Sequence, residues 1–421
     1  MTRLATSFRE EQGLWLAVAL GAVVRLSVLA TKWGDGLLLN DSLWYSAQAT
    51  QLARGEGFAH AFSPHPTAEH GPLVPILLAP VSWGDEPYGW QRLVMTIIGI
   101  ATVLLIGWIA TELGGRTAGV VAAGIAAVYP NLWLSDGVLM AETPTVFLLC
   151  ASTLCLLRAR RSPRQLGWLV GTGLALGLAT LARSEMLAIV PFFSIVAVTT
   201  VTVVWEGRNR FTNGAIVVAV AVLTISPWVV RNLVVFEHPV VLTTNEGATL
   251  LGANCPDTYF GDKLGGWSLP CVLGAVGPPD EEGSVRSDRY RSVATAYAGD
   301  HIARMPVVVA ARLGRVLDVY KVEQQVAGDV GEDRDEWAVW AGIPSFWLLA
   351  ATAAVGARRV KRGDRLLLGA PVIVALAVAV VFYGSRRLRA PAEPTLVIVA
   401  ALAIAWWWRA RHEHALLPDP V

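Results

Sequence analysis

The chain predicts an all-α polytopic membrane protein of about ten transmembrane helices, with both termini in the cytoplasm. Three observations carry that prediction. Of its 421 residues, 54% are hydrophobic and only 16% charged, against about a quarter charged in soluble domains. Apolar runs close to the roughly 20 residues needed to cross a bilayer recur along the chain. Arginine and lysine gather in alternate short connections, the bias that fixes orientation during insertion. A net charge of +1, with no basic tract apart from the membrane loops, argues against a nucleic-acid partner.

Taken in order, Arg3 and Arg9 precede an apolar run at 14–30. It is too long for the core of a signal peptide and lacks a small-residue cleavage site, so it reads as an uncleaved first span. A long loop, 32–91, follows. Further apolar runs lie at 93–113, 118–134, 141–157, 166–182, 187–205, 215–230, 339–355, 366–382 and 396–408. If these spans alternate, four basic clusters join the N-terminus on one side. They are Arg158, Arg160, Arg161 and Arg164; Arg208 and Arg210; Arg358 to Arg365; and Arg409 with Arg411. The positive-inside rule makes that side cytoplasmic.

The outer side then receives the loop 32–91, the turns at Asp136 and at Arg183-Ser184-Glu185, the segment 231–337 and the turn 383–394. Three parts result: a membrane module 1–235 that includes the loop 32–91, an outer segment 236–337, and the last membrane helices, 338–421. Within the outer segment, 285–320 has helical periodicity with scattered arginines and predicts an interfacial, juxtamembrane helix. Cys255 and Cys271 lie in the same segment, where disulfides persist. A bridge between them would close a loop of roughly 15 residues and contribute about 3 kcal/mol. Cys150 and Cys155, inside one span, read as free core residues.

Ionisable groups beside hydrocarbon are rare and usually functional, which singles out several outer-face residues. Asp41, in Asn40-Asp41-Ser42-Leu43-Trp44-Tyr45, reads either as a general base or as a helix N-cap. Glu69-His70-Gly71-Pro72 either positions a phosphate or an acceptor, or simply ends a loop before a helix. His65, Glu69 and His70 are also candidate ligands for a divalent cation, although their spacing matches no firm metal motif. Glu142 opens an apolar helix, where it is either functional or a helix-start acid, and Asp136 competes for the same role. Arg231-Asn232 and Arg386-Arg387-Leu388-Arg389 place positive charge in short outer loops, against the orientation rule. An anionic ligand explains them, since arginine pairs bidentately with phosphate oxygens; pairing with Glu393, Glu185 or Asp318 is the alternative. Arg183 has the same choice between a ligand and Glu185. Arg25, inside the first span, either lines the bundle interior or snorkels.

In their order these pieces resemble the GT-C glycosyltransferases of the ArnT-like and protein O-mannosyltransferase-like kind, which take a sugar from a polyprenyl-phosphate donor at the outer face. The matching pieces are Asn40-Asp41 with Tyr45, Gly71-Pro72-Leu73, Glu142 and Leu181-Ala182-Arg183. They continue through Pro227-Trp228-Val229-Val230-Arg231-Asn232, Thr244-Asn245-Glu246-Gly247 and Arg386-Arg387-Leu388-Arg389-Ala390-Pro391. The resemblance implies that Asp41 activates the acceptor, that Glu142 is a second acid of the active centre, and that Arg231 and Arg386–Arg389 meet the donor phosphate. Tyr45, Glu69, His70, Arg183 and Asn232 then join the substrate-binding set. Aminoarabinose transferases have Glu-Lys-Pro where this chain has Glu69-His70-Gly71-Pro72, so the resemblance does not extend to the acceptor.

The implied partners are a polyprenyl-phosphate-linked sugar, membrane lipids, and a lipid, glycan or protein acceptor. The resemblance implies no certain cofactor, a divalent cation remaining open. The implied place is the extracytoplasmic face of a bacterial plasma membrane. A transporter or lipid flippase would want polar sites at the bilayer midplane and repeated halves, whereas here the polar features lie at one face. A non-catalytic assembly subunit would have less reason to keep both Asp41 and Glu142.

Overall fold

A computed structural model describes residues 2–38, 40–60, 65–202, 209–275, 277–278 and 280–414. Arg208 lies outside the described residues. Among the described residues the chain is helical, the sole extended pairing being an isolated bridge between Ala59 and Pro66. Eight helices are long and apolar enough to cross a membrane: Gln12–Lys32, Tyr88–Gly114, Glu142–Ala159, Gln165–Ala182, Arg210–Val235, Glu336–Ala357, Arg362–Val381 and Arg386–Arg411. The other two expected spans are shorter, at Arg116–Val128 and Ser184–Thr200.

Proline explains the first of these shortfalls. Pro130 disfavours helical geometry at Tyr129, which is extended (φ −68°, ψ 113°). The apolar run 118–134 is therefore cut into Arg116–Val128 and a short turn, Pro130–Trp133. Thirteen residues at 1.5 Å each reach only about 20 Å. Proline acts again in the outer segment. The periodic stretch 285–320 forms two helices, Gly283–Asp300 and Met305–Val316, separated by a bend at His301–Arg304 with Pro306 in the first turn of the second.

Lipid supplies no hydrophobic drive for helix association, so close approach depends on small residues. Gly173 shows this where Gln165–Ala182 crosses Arg210–Val235: a Cβ there would sit 2.6 Å from the Val217 carbonyl oxygen. Polar pairing does the same work deeper in the bundle. Arg25 faces the interior, 2% exposed, and its Nε donates to Asp136 at 2.7 Å. The Thr143 hydroxyl donates to the other Asp136 oxygen at 2.9 Å.

The two ends of the bundle differ. At one, Arg161 donates to Glu112 at 3.0 Å, Arg160 to Asp364, and Arg409 to the Gly114 carbonyl. Three of the basic clusters thus meet around the same helix ends. At the other end the outer segment closes over the loop 32–91, and Cys255 is bonded to Cys271.

Candidate active site

The site lies at the end opposite the basic clusters, where helix termini and two outer segments converge. Asn40 caps the helix Asp41–Ala53, its side chain accepting from the Ser42 backbone N–H at 2.8 Å. That leaves the neighbouring Asp41 carboxylate available for another partner. Tyr45, one turn on, is buried and packs its ring 4.9 Å from His70. His70 stands 3.9 Å from Asp41. The loop bearing His70 can approach the end of Gln165–Ala182 because residue 71 is glycine: a Cβ would lie 2.1 Å from the Leu181 carbonyl oxygen.

Arg387 is the centre of the arrangement. Its Nε donates to Glu142 at 2.8 Å, Nη1 to Glu332 at 2.6 Å and Nη2 to Asp41 at 3.0 Å. Arg183 adds a second cation, donating to Glu142 and to Glu185, each at 2.6 Å. A cavity of about 800 Å³ opens in front of this cluster. Asp41, Tyr45, Glu69, His70, Arg183 and Arg387 all line it. Glu142 does not, being 1% exposed at its side chain, whereas Asp41 is 36% exposed. The two acids thus differ in access: one anchors arginines from within, the other faces the space.

Electrostatics follow from the same geometry. Burial alone would raise the pKa of Asp41, but Arg387 and His70 more than offset it and hold the carboxyl below its usual range. Burial also raises the pKa of the Tyr45 and Tyr383 hydroxyls, so both stay protonated. For Glu332 burial outweighs the pull of Arg387 and Arg334, and its pKa is raised.

The remaining sequence-predicted residues sit elsewhere. Arg386–Ala392 is a 3₁₀ turn, in which successive side chains diverge by about 120°, so of its three arginines only Arg387 lines the cavity. Arg386 is bound by Asp318 at 3.0 Å and Asp329 at 3.1 Å. Arg389 donates to Glu393 at 2.6 Å and to Asp318 at 3.1 Å, with its guanidinium 3.5 Å above the Phe346 ring. Arg231 donates to the Thr67 and Phe58 carbonyls at 2.9 and 3.0 Å, and Asn232 to the Leu242 carbonyl at 3.3 Å. These last two tie the loop 32–91 and the start of the outer segment to the end of Arg210–Val235. Glu69, by contrast, is on the cavity wall, 3.9 Å from His60. Among the described residues no three His, Cys, Asp or Glu side chains converge as a metal site, and His65, Glu69 and His70 form no such group.

Glu332 escaped the sequence reading. It belongs to the run Glu332-Asp333-Arg334-Asp335-Glu336 before a span, where a charge run reads as a solvated helix start. The signal that could have found it is the excess of outer-face arginines, which need carboxylates to balance them.

The family model for dolichyl-phosphate-mannose-protein mannosyltransferases matches residues 89–243. The archaeal oligosaccharyltransferase AglB from Archaeoglobus fulgidus, solved with an inhibitory peptide and a dolichol-phosphate, overlays with a TM-score of 0.57 at 16% identity. That overlay covers 99% of this chain and 53% of AglB. An Archaeoglobus fulgidus oligosaccharyltransferase tethered to an acceptor peptide gives a TM-score of 0.59 at 14% identity, covering 96% of this chain and 51% of that one. The chain has the GT-C fold. It spans about half the length of these oligosaccharyltransferases. ArnT from Cupriavidus metallidurans bound to undecaprenyl phosphate overlaps 96% of this chain and 81% of its own at 15% identity, with a TM-score of 0.42. No curated protein matches the sequence.

Proposed function

We propose that this GT-C protein is a glycosyltransferase that moves a sugar from a polyprenyl-phosphate donor to an acceptor hydroxyl at the extracytoplasmic face of a bacterial plasma membrane. The observation that carries the reading is the contact of Asp41 with Arg387 at the mouth of one large cavity. A sugar-phosphate leaving group needs positive charge where its electron pair departs, and an attacking hydroxyl needs a base. Both are present within one hydrogen bond of each other. Arg387 and Arg183 are the cations that face the phosphate, and Asp41, held ionised, is the base.

The cavity's lining has two characters that suit such a donor. Leu187, Val241, Val378 and Phe382 supply apolar wall for a prenyl chain, while Asn245, Ser284 and Asp288 supply hydrogen-bonding groups for sugars. Direct displacement from the lipid phosphate inverts the anomeric centre. The acceptor is a lipid, a glycan or a protein. Gathering of the polar groups at one end favours transfer over transport, because a carrier would need them at the midplane. The opposite, basic end then faces the cytoplasm with both termini.

The test is mass spectrometry of membrane lipids and envelope glycans from a strain lacking the protein, complemented by the wild type or by Asp41→Asn. Loss of one glycan modification, restored by the wild type alone, is the expected result. An unaltered glycan profile combined with a missing lipid or solute flux would replace the transferase by a carrier.

A further inference from the structure

We infer that Glu332 is a positioning residue: together with Glu142 it holds the Arg387 guanidinium in place while the third partner, Asp41, is exchanged for the donor phosphate. The inference rests on the reading of Arg387 as a phosphate-facing cation and adds how that cation is held and released. The three carboxylates on Arg387 are not equivalent. Glu142 is 1% exposed, Glu332 19% and Asp41 36% at their side chains. Asp41 also makes the longest of the three bonds, 3.0 Å against 2.8 and 2.6 Å. An ion pair open to solvent is screened and weak, whereas a buried one is costly to break. An anion entering the cavity therefore displaces Asp41 first, taking over Nη2 while Nε and Nη1 keep their partners.

Glu332 suits the role because it is itself fixed. Its second oxygen accepts from Arg334 at 2.6 Å, and Arg334 also binds Asp329 at 2.7 Å. The segment around it is clamped to the loop 32–91 and the span that follows: Lys32 donates to Asp333 at 3.0 Å, Arg92 to the same carboxylate at 3.4 Å, and Asn40 to the Gly331 carbonyl at 3.3 Å. Without Glu332, Arg387 would keep only Glu142 behind it and would be free to follow Asp41.

The exchange couples the two halves of the reaction. In the donor-free state Asp41 is occupied by Arg387; with phosphate bound it is released to act. The acceptor O–H proton then passes to the Asp41 carboxylate, and the acceptor oxygen bonds to the anomeric carbon. The bond from that carbon to the phosphate oxygen breaks, its electron pair remaining on the phosphate beside Arg387.

The experiment uses the full chain in detergent with undecaprenyl phosphate as probe, for wild type, Glu332→Gln, Glu332→Asp and Arg387→Ala. Probe affinity is read by tryptophan fluorescence, and access to Asp41 by carbodiimide labelling and peptide mass spectrometry with and without probe. In the wild type the probe should raise Asp41 labelling severalfold. Glu332→Gln should bind the probe about tenfold more weakly, the scale of one charge-assisted hydrogen bond, and lose most of the labelling increase. Glu332→Asp should recover part of both, and carries the test alone should Glu332→Gln not fold. Wild-type affinity and labelling in both Glu332 variants would overturn the inference while leaving the phosphate reading intact, provided Arg387→Ala fails to bind. A wild-type protein that does not bind the probe would overturn both.

Discussion

The two ends of the bundle use arginine in opposite ways. At the basic end Arg161 is 66% exposed at its side chain and, among the described residues, pairs with the single acid Glu112. At the site end Arg387 and Arg183 are 17% and 13% exposed, yet are shared among three and two carboxylates. An exposed pair contributes about 0–1 kcal/mol, so Arg161 is explained by orientation and headgroup contact alone, while the half-buried Arg160 at that end is tied, among the described residues, to the single acid Asp364 and does not line the large cavity. Buried charges carry a desolvation cost of several kcal/mol each and persist only where partners offset it. Concentrating several such charges around a cavity has no structural motive that an apolar cluster would not satisfy better. The comparison teaches that in a membrane protein the location and partners of a basic residue, rather than its presence, separate topology from chemistry.

The strongest way to break this contrast is Asp41→Asn. Turnover in a purified transfer assay should fall by about 10²–10⁴-fold, the usual worth of a general base, while undecaprenyl phosphate still binds. Wild-type turnover by this variant would remove Asp41 from the mechanism. The pH profile sharpens the same point. Because the folded protein holds Asp41 below its ordinary value of 3.8, the ionised base persists above that depressed pKa and is lost only as pH falls through it. The acid limb of kcat/KM, which reports the donor-free enzyme with Arg387 on Asp41, should therefore lie below the range of a free carboxylate.

Next in size is the pair Arg387→Ala and Arg161→Ala. The first leaves three carboxylates without their shared cation and should cost about 3–5 kcal/mol, as for other broken buried pairs, read as a large fall in thermal midpoint together with lost probe binding. The second should change stability by less than about 1 kcal/mol. Equal effects would erase the distinction between the ends.

The most local expected effect belongs to the outer segment alone. Cys271→Ser opens the bond to Cys255, whose partners are 16 residues apart in sequence, and should cost about 3 kcal/mol or less. Protease nicking near 255–275 should rise while the membrane core, read by the thermal transition of the spans, holds.

Much of this was legible in the sequence, for a local reason. Apolar length and arginine placement are properties of neighbouring residues, so eight of the ten expected spans correspond to long apolar helices. At two of the places where the reading and the structure part, proline intervened: Pro130 shortened one span, and Pro306 begins a second helix in the stretch expected to hold one. Asp41, Tyr45, His70 and Arg183 were noticeable because ionisable and aromatic groups stand out beside hydrocarbon. Which of Arg386, Arg387 and Arg389 would face the cavity was not legible, since it depends on the hand and pitch of a single 3₁₀ turn. Glu332 was hidden in a charge run that looks solvated.

By itself, then, the sequence determined that the chain enters the membrane many times, which ends of the spans carry net positive charge, and that acids lie where charge is expensive. Tertiary structure alone decided which of those charges meet. The partners of Arg387 lie 346, 245 and 55 residues away along the chain. No local pattern encodes separations of that size; they follow from how helices with complementary small and polar faces pack. That packing brings one guanidinium among three carboxylates and leaves the most exposed of them turned toward the cavity.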